Sequence, residues 1–298
     1  MQNRSIKKKA SNTLKEKSAT VEDVARVQRL FEEKGWPLES GEFDDFCTMI
    51  ANLANEAQKE LILQLSKRFC WITANDYYQM FVTAFDQMVK AKIGATVRKL
   101  TFTILPLLPS DNVNDVKSGH FLYYLVKAHL PKLQKQYKEK CVISCLEGVT
   151  AIIENNTTMQ LKKMYSDPDI FICPIDDYIG SGNTVLDCLH NLESWGIPKE
   201  KITFLALVSQ EQGLKKCADE AVSVFSTMQM KRQITDYPNS EKNTQVMTEI
   251  EESINIKDEF RFGYEKSEAL VKLEHTPNNT FPVYWFTNKN RRTVPFPR

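Results

Sequence analysis

The sequence predicts an α/β protein with a parallel sheet of about five strands, preceded by a helical subdomain. Two patterns predict this fold class. Between residues 100 and 229, short apolar runs alternate with stretches of helical periodicity, an order typical of parallel strands covered by helices on both faces. Over residues 20–98, apolar side chains recur three or four positions apart, as they do on one face of a helix.

The N-terminal part of the chain divides into a tail and a helical subdomain. Residues 1–19 are basic and show no periodicity, so we expect a flexible tail. Residues 20–98 are expected to form the subdomain, and Thr20 with Asp23 resembles the capping box that begins a helix. Gly35 is expected to end this first helix. Three more helices are predicted over about 43–53, 56–69 and 73–89.

The α/β domain is expected to occupy residues 99–298. Its strands are predicted over 100–108, 141–148, 170–176, 201–209 and 221–229, and its helices over about 120–138, 150–165, 183–195 and 212–219. Residues near 231–257 are polar, which predicts an insertion or a flexible segment. Order is expected to return after residue 260, with a short strand around 270–273.

Composition and charge narrow the class of protein. The 298 residues carry a formal net charge of +1 and are 42% hydrophobic, which is typical of a globular protein and excludes collagen-like or wholly disordered chains. This charge is too close to zero for a protein that coats nucleic acid by bulk attraction. Basic residues nevertheless gather at both ends, with six cations and one acid within residues 1–17, which leaves a polyanionic partner open.

The sequence shows neither a membrane-spanning segment nor a metal-binding motif. It has no apolar run of the roughly 20 residues that cross a bilayer, and no apolar stretch follows the basic N-terminus as in a signal peptide. We therefore expect a cytoplasmic protein with no membrane contact. Seven scattered cysteines and four separated histidines form no closely spaced ligand pair, so no metal site held by the protein alone is expected.

The segment 171–189, FICPIDDYIGSGNTVLDCL, carries the clearest functional signal. In it, an apolar strand runs into a short loop with two glycines, and a helix follows. Glycine lets backbone N–H groups turn inward, hydroxyls donate hydrogen bonds, and the helix dipole favours an anion. We therefore expect a phosphate to bind at the loop formed by Gly180, Ser181, Gly182, Asn183 and Thr184.

Two acids, Asp176 and Asp177, stand between the strand and the loop. Carboxylates repel a phosphate, so they are expected to face a different part of the ligand. Paired acids suit the vicinal hydroxyls of a ribose, and the segment therefore predicts a ribose-5-phosphate site. The loop lacks the lysine of a P-loop and the third glycine of GxGxxG. A tight strand-to-helix turn with incidental acids is the alternative left open.

The run IDDYIGSGNT resembles the ribose-phosphate motif of type I phosphoribosyltransferases: two acids, two apolar residues and a Gly/Ser/Thr loop after an apolar strand. The resemblance implies a type I phosphoribosyltransferase-like fold in which Asp176 and Asp177 bind the ribose hydroxyls of phosphoribosyl pyrophosphate. It also implies that residues 180–184 bind the 5-phosphate, and that Mg²⁺ bridges pyrophosphate and ribose oxygens. The chain departs from the purine-salvage members at Gly180, where they carry an aspartate as general base.

A wider resemblance covers about residues 20–298. TILPLLPSDN, VKSGHFLYYL, the acid-and-loop core and TPNNTFPVYWF together resemble the phosphoribosyltransferase-like domain of bacterial conflict systems, often written PRTase-CE. Members are encoded beside anti-phage components, in some cases a retron reverse transcriptase, and are regarded as effectors. The resemblance thus implies a bacterial effector in anti-phage defence, with a reverse transcriptase and its nucleic acid as a nucleoprotein partner.

Lys117, Ser118 and Gly119 follow the first strand of the predicted sheet and open a helix. Phosphoribosyltransferases place a pyrophosphate loop at this point. A lysine, a hydroxyl and a flexible glycine suit a diphosphate, and we expect these residues to bind it. A solvated turn with a helix cap is the equal alternative.

Three more polar residues are candidates for the site. Glu147, at the end of the second strand, is a candidate base in place of the acid missing at Gly180, although a lone acid indicates little by itself. Asn278 and Asn279 are candidates for binding a nucleobase, because amides read base edges. For these two residues a plain turn is the alternative.

Two function classes remain open. The first is an enzyme that acts on phosphoribosyl pyrophosphate or on the N-glycosidic bond of a nucleotide. The second is a non-catalytic sensor or regulatory subunit that binds a ribose-phosphate and docks on a nucleoprotein. The acceptor base and the formation of a homo-oligomer stay open as well.

Overall fold

The computed structural model describes residues 17–93, 98–107, 118–148, 156–288, 291 and 293–298. Most of the expected basic tail, Lys117 and the first part of the helix predicted from residue 150 lie outside the described residues. Within them, a parallel five-stranded sheet with helices confirms the predicted fold class.

Four helices precede the sheet: α1 (Val21–Lys34), α2 (Gly41–Asn52), α3 (Glu56–Lys67) and α4 (Ala74–Ile93). Helix α1 begins at the predicted capping box, where the backbone N–H of Asp23 donates to the Thr20 hydroxyl at 3.1 Å. It ends at Gly35, whose φ of 65° is left-handed and free of strain for glycine. Between α3 and α4, the short strand β1 (Cys70–Trp71) pairs in parallel with residues 271–272 of the tail.

The sheet consists of β2 (Leu100–Pro106), β3 (Cys141–Cys145), β4 (Ile170–Ile179), β5 (Thr203–Gln210) and β6 (Ser223–Met230). The strands are parallel and lie in the order β3-β2-β4-β5-β6, so β4 is central. All residues of β5 are buried, as expected for a parallel strand that is covered on both faces. The carboxyl ends of the strands meet at one edge, and the loop after β4 lies there.

Helices cover both faces of the sheet: α5 (Ser118–Ala128), α6 (Leu130–Tyr137), α7 (Thr158–Met164), α8 (Asn183–Ser194) and α9 (Glu211–Asp219). On one face, Phe85 of α4 and Leu122 of α5 share a buried cluster with Phe102 of β2. In a second cluster, Val185 of α8 packs with Phe204 of β5. Because α4 covers the sheet, the helical region and the α/β region share one hydrophobic core.

The polar stretch over 231–257 contains a helix, α10 (Ser240–Ser253), which packs on α3. Its Met247 and Ile250 are buried in the same cluster as Leu61 of α3. The chain then passes through residues 258–268, forms β7 (Val271–Lys272) beside β1, and ends in a tail whose Tyr284 is fully buried.

In the part of the chain that the structure describes, every helix is too short or too polar to traverse a bilayer. All seven cysteines are free thiols, and five of them are buried.

Candidate functional site

Strand β4 carries two carboxylates to the carboxyl edge of the sheet. Its backbone is fixed on both sides, because Ile175 pairs with Pro106 of β2 and with Leu205 of β5. At the next two positions, Asp176 is half-buried and Asp177 is only 3% exposed. Buried carboxylates require hydrogen-bond donors, and each of the two has its own.

Asp176 receives its donors from the first turn of α5 and from the neighbouring residue. The Ser118 hydroxyl donates to Oδ1 of Asp176 at 3.0 Å, and the backbone N–H of Asp177 donates to the same oxygen at 2.9 Å. A β-carbon on Gly119 would lie 3.0 Å from the Ile175 carbonyl oxygen and 3.3 Å from Oδ1 of Asp176. Glycine therefore allows α5 to approach the acid closely.

Asp177 receives its donor from the N-terminal helical region. The hydroxyl of Tyr77, a fully buried residue of α4, donates to Oδ2 of Asp177 at 2.9 Å. The same hydroxyl accepts the backbone N–H of Glu274 at 2.9 Å. One phenol thus connects α4, the central strand and the C-terminal tail at the acid pair.

The two carboxyls are electrostatically unusual. Burial raises the pKa of Asp176, and the neighbouring carboxylate of Asp177 raises it further. Burial also raises the pKa of Asp177, although the hydrogen bond from Tyr77 acts in the opposite direction. The pair therefore retains a proton to higher pH than exposed acids do, and a ligand with hydroxyl donors or positive charge favours its ionised form.

The loop after β4 packs closely on α9. Gly182 has a left-handed φ of 83°. A β-carbon on Gly213, in the first turn of α9, would clash with the Gly180 carbonyl oxygen, and one on Gly182 would lie 3.0 Å from the Gly213 carbonyl oxygen. Helix α8 begins at Asn183, directly after the loop, so the N–H groups of its first turn, which have no carbonyl partner within the helix, adjoin the loop. Loop and helix together provide the donors that an anion requires.

A pocket of about 260 Å³ lies at this loop. Its walls are residues 178–185, Leu107, Tyr264, Asn278 and Asn279. The acid pair adjoins it, because Gly119 lies against both Asp176 and Leu107. The pocket is large enough for a phosphate with part of a sugar, and the carboxylates stand beside it.

Asn279 occupies the space next to Gly180. A β-carbon on residue 180 would lie 2.5–2.7 Å from the side-chain amide atoms of Asn279. This amide is buried, and its Nδ2 donates to the Tyr264 carbonyl oxygen at 3.3 Å. A residue other than glycine therefore fits at position 180 only if the Asn279 side chain moves. At this point of the loop the site presents the amide of Asn279.

A segment with unusual backbone conformation borders the pocket. Phe262, Glu265, Lys266 and Glu268 have φ between 49° and 60°, although none is glycine. Within the segment, Glu265 accepts from Nδ2 of Asn183 at 2.7 Å. Left-handed residues of this kind are costly and cluster at functional sites. The segment brings Tyr264 to the pocket and ties it to the start of α8.

Most residues expected at the site are brought together. Residues 176–184, Ser118, Gly119, Asn278 and Asn279 lie at or beside the pocket. Glu147 does not join them: its side chain is 71% exposed and pairs with Lys127 at 2.6 Å, at the end of an edge strand two positions from β4. Lys117 lies outside the described residues.

Three contributors were missed from the sequence: Tyr77, Tyr264 and Gly213. Tyr77 resembles its packing neighbours on α4, and no local pattern distinguishes it from them. Tyr264 follows a glycine in a polar stretch, and Gly213 looks like an ordinary interruption of a helix. Each acts through residues at least 30 positions away, which periodicity does not reveal.

Within the described ranges, no three His, Cys, Asp or Glu side chains come close enough together to hold a metal ion. The half-buried carboxylate of Asp176 is nevertheless the kind of oxygen ligand that Mg²⁺ takes alongside substrate phosphates. Among the described residues, the site thus offers carboxylate oxygens to a cation but no group of three such ligands.

Comparison with known proteins matches the chain to a protein family. The model of PRTase-CE matches residues 48–298. No curated protein matches the chain. Among solved structures, a hypothetical protein from Neisseria gonorrhoeae with bound ppGpp aligns with a TM-score of 0.33 at 10% identity, covering 59% of this chain and 94% of that chain. APRTase from Giardia lamblia complexed with 9-deazaadenine aligns with a TM-score of 0.29 at 11% identity, covering 53% and 84%.

Proposed function

Because the chain belongs to the PRTase-CE family, we propose that it acts on a 5-phosphorylated ribose in the manner of a phosphoribosyltransferase. The substrate in this proposal is phosphoribosyl pyrophosphate or a nucleotide, and the bond that breaks joins C1 of the ribose to its leaving group. One observation carries the proposal: a single strand, β4, carries the half-buried Asp176 and the buried Asp177 near its end, and a glycine loop at the start of a helix follows. This order matches a ribose followed by its 5-phosphate.

Each group has a proposed part in binding. The backbone N–H groups of residues 180–184, with the hydroxyls of Ser181 and Thr184, hold the 5-phosphate. Asp176, the more exposed acid, accepts hydrogen bonds from the ribose hydroxyls. Asp177 lies behind it and is held by Tyr77. Ser118 and Gly119 begin the helix beside the leaving group, where a diphosphate would lie.

The chemistry needs little covalent participation from the protein. Departure of the leaving group develops positive charge at C1 and the ring oxygen, and the two carboxylates stabilise that charge. A nucleophile then forms the new bond to C1: water in hydrolysis, which yields ribose 5-phosphate, or an acceptor base in transfer. The amide of Asn279 donates and accepts hydrogen bonds but transfers no proton. Pyrophosphate leaves without being protonated, whereas a nucleobase generally needs a proton. Cleavage of phosphoribosyl pyrophosphate therefore suits an amide at this position better than release of a base.

Magnesium is part of this proposal as a companion of the substrate. Asp176 would hold it together with the pyrophosphate oxygens. Mg²⁺ held there would neutralise the charge of the leaving group.

The experiment is to incubate the protein with phosphoribosyl pyrophosphate and Mg²⁺ and to follow free pyrophosphate by ³¹P NMR. Asp176→Asn with Asp177→Asn should abolish turnover while circular dichroism shows an intact fold. Asp187→Asn is the matched control, because it removes an exposed carboxylate from α8. Equal turnover in the double variant would refute the assignment. Mass spectrometry of nucleotide pools in expressing cells extends the search to nucleotide substrates.

A non-catalytic sensor is the second candidate, and Asn279 against Gly180 favours it, because no carboxylate stands where related enzymes hold a base. A sensor predicts that ribose 5-phosphate or phosphoribosyl pyrophosphate raises the melting temperature while no product forms over long incubation. If product forms, however slowly, and its formation requires Asp176, the protein is an enzyme and not a sensor.

The proposed biological setting is anti-phage defence in bacteria, with a nucleoprotein such as a reverse transcriptase and its nucleic acid as partner. Family membership supports this setting, and the site geometry bears only on the substrate. Phage plating on cells that express the native chain or the double acid variant, each with its neighbouring genes, tests it. Equal plating efficiency on both would contradict a role of the site in defence.

A further inference from the structure

A second and larger pocket, of about 880 Å³, lies where the C-terminal tail meets α2 and the end of α10. It shares no lining residue with the pocket at the phosphate loop. Its volume is in the range of small-molecule sites, about 300–1,000 Å³. The described residues that line it supply charge, aromatic surface and amides.

The charge of this pocket has one sign. Four cationic side chains line it, those of Lys17, Lys257, Arg291 and Arg298, and no Asp or Glu side chain is among the described lining residues. Lys257 also lies 3.7 Å from the exposed Glu259, a surface pair that contributes little. The pocket is therefore complementary to an anion.

An aromatic wall forms the apolar part of the pocket. The Trp285 ring lies edge-on to Phe260 at 5.8 Å and to Phe286 at 6.0 Å between centroids. The indole is fixed by a hydrogen bond from its Nε1 to the Thr280 carbonyl oxygen at 2.7 Å. Rigid aromatic surface of this kind suits a flat ring.

Amides add hydrogen-bonding groups beside the wall. Asn52 and Asn255 both line the pocket. The Asn52 amide already accepts from the Lys17 backbone N–H at 3.0 Å and donates to the Thr48 carbonyl oxygen at 2.8 Å, so Asn255 is the amide that the proposal uses. Asn255 is exposed and has a left-handed φ of 54°, which asparagine tolerates better than most residues. Side-chain amides present a donor and an acceptor together, as the edges of nucleobases require.

We propose that this pocket binds a nucleoside phosphate, with the base against the rings of Phe260 and Phe286, which pack on the buried Trp285. The phosphates lie near Lys17, Lys257 and Arg298, because the Arg291 guanidinium already donates to the Val283 and Phe286 carbonyl oxygens. The ligand is either a free nucleotide or one unit of a single-stranded nucleic acid, since both present the same chemistry. The site is separate from the proposed catalytic pocket but close to it. Phe260 lies 5.8 Å from the Trp285 ring on one side and 6.4 Å from the ring of Tyr264, a wall of the first pocket, on the other.

The test is calorimetric titration of the full chain at low salt with ATP, AMP and a short oligothymidylate. Lys17→Glu with Lys257→Glu should weaken binding about tenfold or more, because both side chains are exposed and each reversal exchanges attraction for repulsion. Lys135→Glu with Lys163→Glu is the matched control, since these exposed lysines are not part of the lining. Thr184→Glu, which puts a carboxylate at the phosphate loop, should leave this binding unchanged.

The outcomes separate the two pockets. Binding of ATP or AMP that responds to the first pair of lysines identifies a free nucleotide, and binding of the oligonucleotide alone identifies a strand. Absence of binding for all three probes overturns the proposal. Binding that Thr184→Glu removes and the lysine reversals spare also overturns it, because the ligand then occupies the first pocket.

Discussion

Asn279 lies against Gly180 so closely that its amide fills the space in which any side chain on residue 180 would begin. The two residues belong to different parts of the site, the phosphate loop and the C-terminal tail. Their contact means that the acid of the purine-salvage enzymes cannot be introduced at position 180 by itself. Loop and tail have to change together.

Gly180→Ala is expected to destabilise the protein by about 1–3 kcal/mol, because the new methyl group overlaps the buried amide of Asn279. Asn279→Ala removes the overlapping atoms, so the double variant should be more stable than the sum of the two single effects predicts. Urea unfolding of the four proteins measures the coupling. Strict additivity would show that the two side chains do not compete for this space.

Tyr77→Phe is expected to cost about 1–2 kcal/mol of stability and to weaken binding of ribose 5-phosphate, because it removes the donor to Asp177 and the acceptor of the Glu274 N–H. Tyr78→Phe is the matched control on the same helix. The Tyr78 hydroxyl is buried without a hydrogen-bond partner in the described structure, so its removal should be neutral or stabilising. Urea unfolding and calorimetric titration compare the two variants, and equal behaviour would argue against a role of Tyr77 at the acid pair.

Gly213→Ala is expected to displace the phosphate loop, because its β-carbon would clash with the Gly180 carbonyl oxygen, a backbone atom that cannot rotate away. We expect a loss of stability of at least about 1 kcal/mol and at least tenfold weaker phosphate binding. In Gly41→Ala the new methyl group meets nothing within 4 Å, and this variant should be neutral or slightly stabilising. If Gly213→Ala bound inorganic phosphate with full affinity, this would contradict the proposal that the loop of residues 180–184 binds the phosphate.

The acid pair should make stability and ligand binding respond to pH in opposite directions. Because the folded-state pKa of Asp176 is raised, its protonated form stabilises the fold at low pH, and this contribution is lost as pH rises through the raised pKa. Affinity for ribose 5-phosphate should rise over the same interval, since the ionised acid accepts hydroxyl hydrogen bonds. In Asp176→Asn, both the stability and the affinity for ribose 5-phosphate should depend less on pH. Melting temperatures and titrations from about pH 4 upward check this, since the loss begins near the ordinary pKa of an aspartate, and parallel slopes in the native protein would contradict it.

The parts of the site that are contiguous in the chain were predictable from the sequence. Asp176, Asp177 and the loop to Thr184 were predicted because strand, acids, glycines and helix follow one another within one segment. The Tyr77 hydroxyl and the contact between Gly180 and Asn279 were not, since they join residues about a hundred positions apart. The place of Glu147 was not predictable either, because the order of the strands, which puts β3 at the edge of the sheet and Glu147 just after it, depends on contacts between distant segments.

The fold was predictable to a similar degree. Buried parallel strands produce continuous apolar runs, so the sheet could be located from hydropathy. Helix α10 was harder to find, because only Met247, Ile250 and Glu251 are buried on a helix that is otherwise polar. The position of α4 on the sheet follows from side-chain packing across distant segments, which no local pattern records.

The two hydrogen bonds of the Tyr77 hydroxyl span 100 and 197 residues of chain. A ribosome releases Tyr77 first, the acids later, and the tail with Glu274 and Asn279 last. A nascent chain therefore carries its acids and its loop for some time without the walls that complete the site. Translation that stops before residue 274 would yield a polypeptide that has the acids and the loop but lacks Asn278 and Asn279. The pocket at the phosphate loop is therefore complete only once these C-terminal residues have been made.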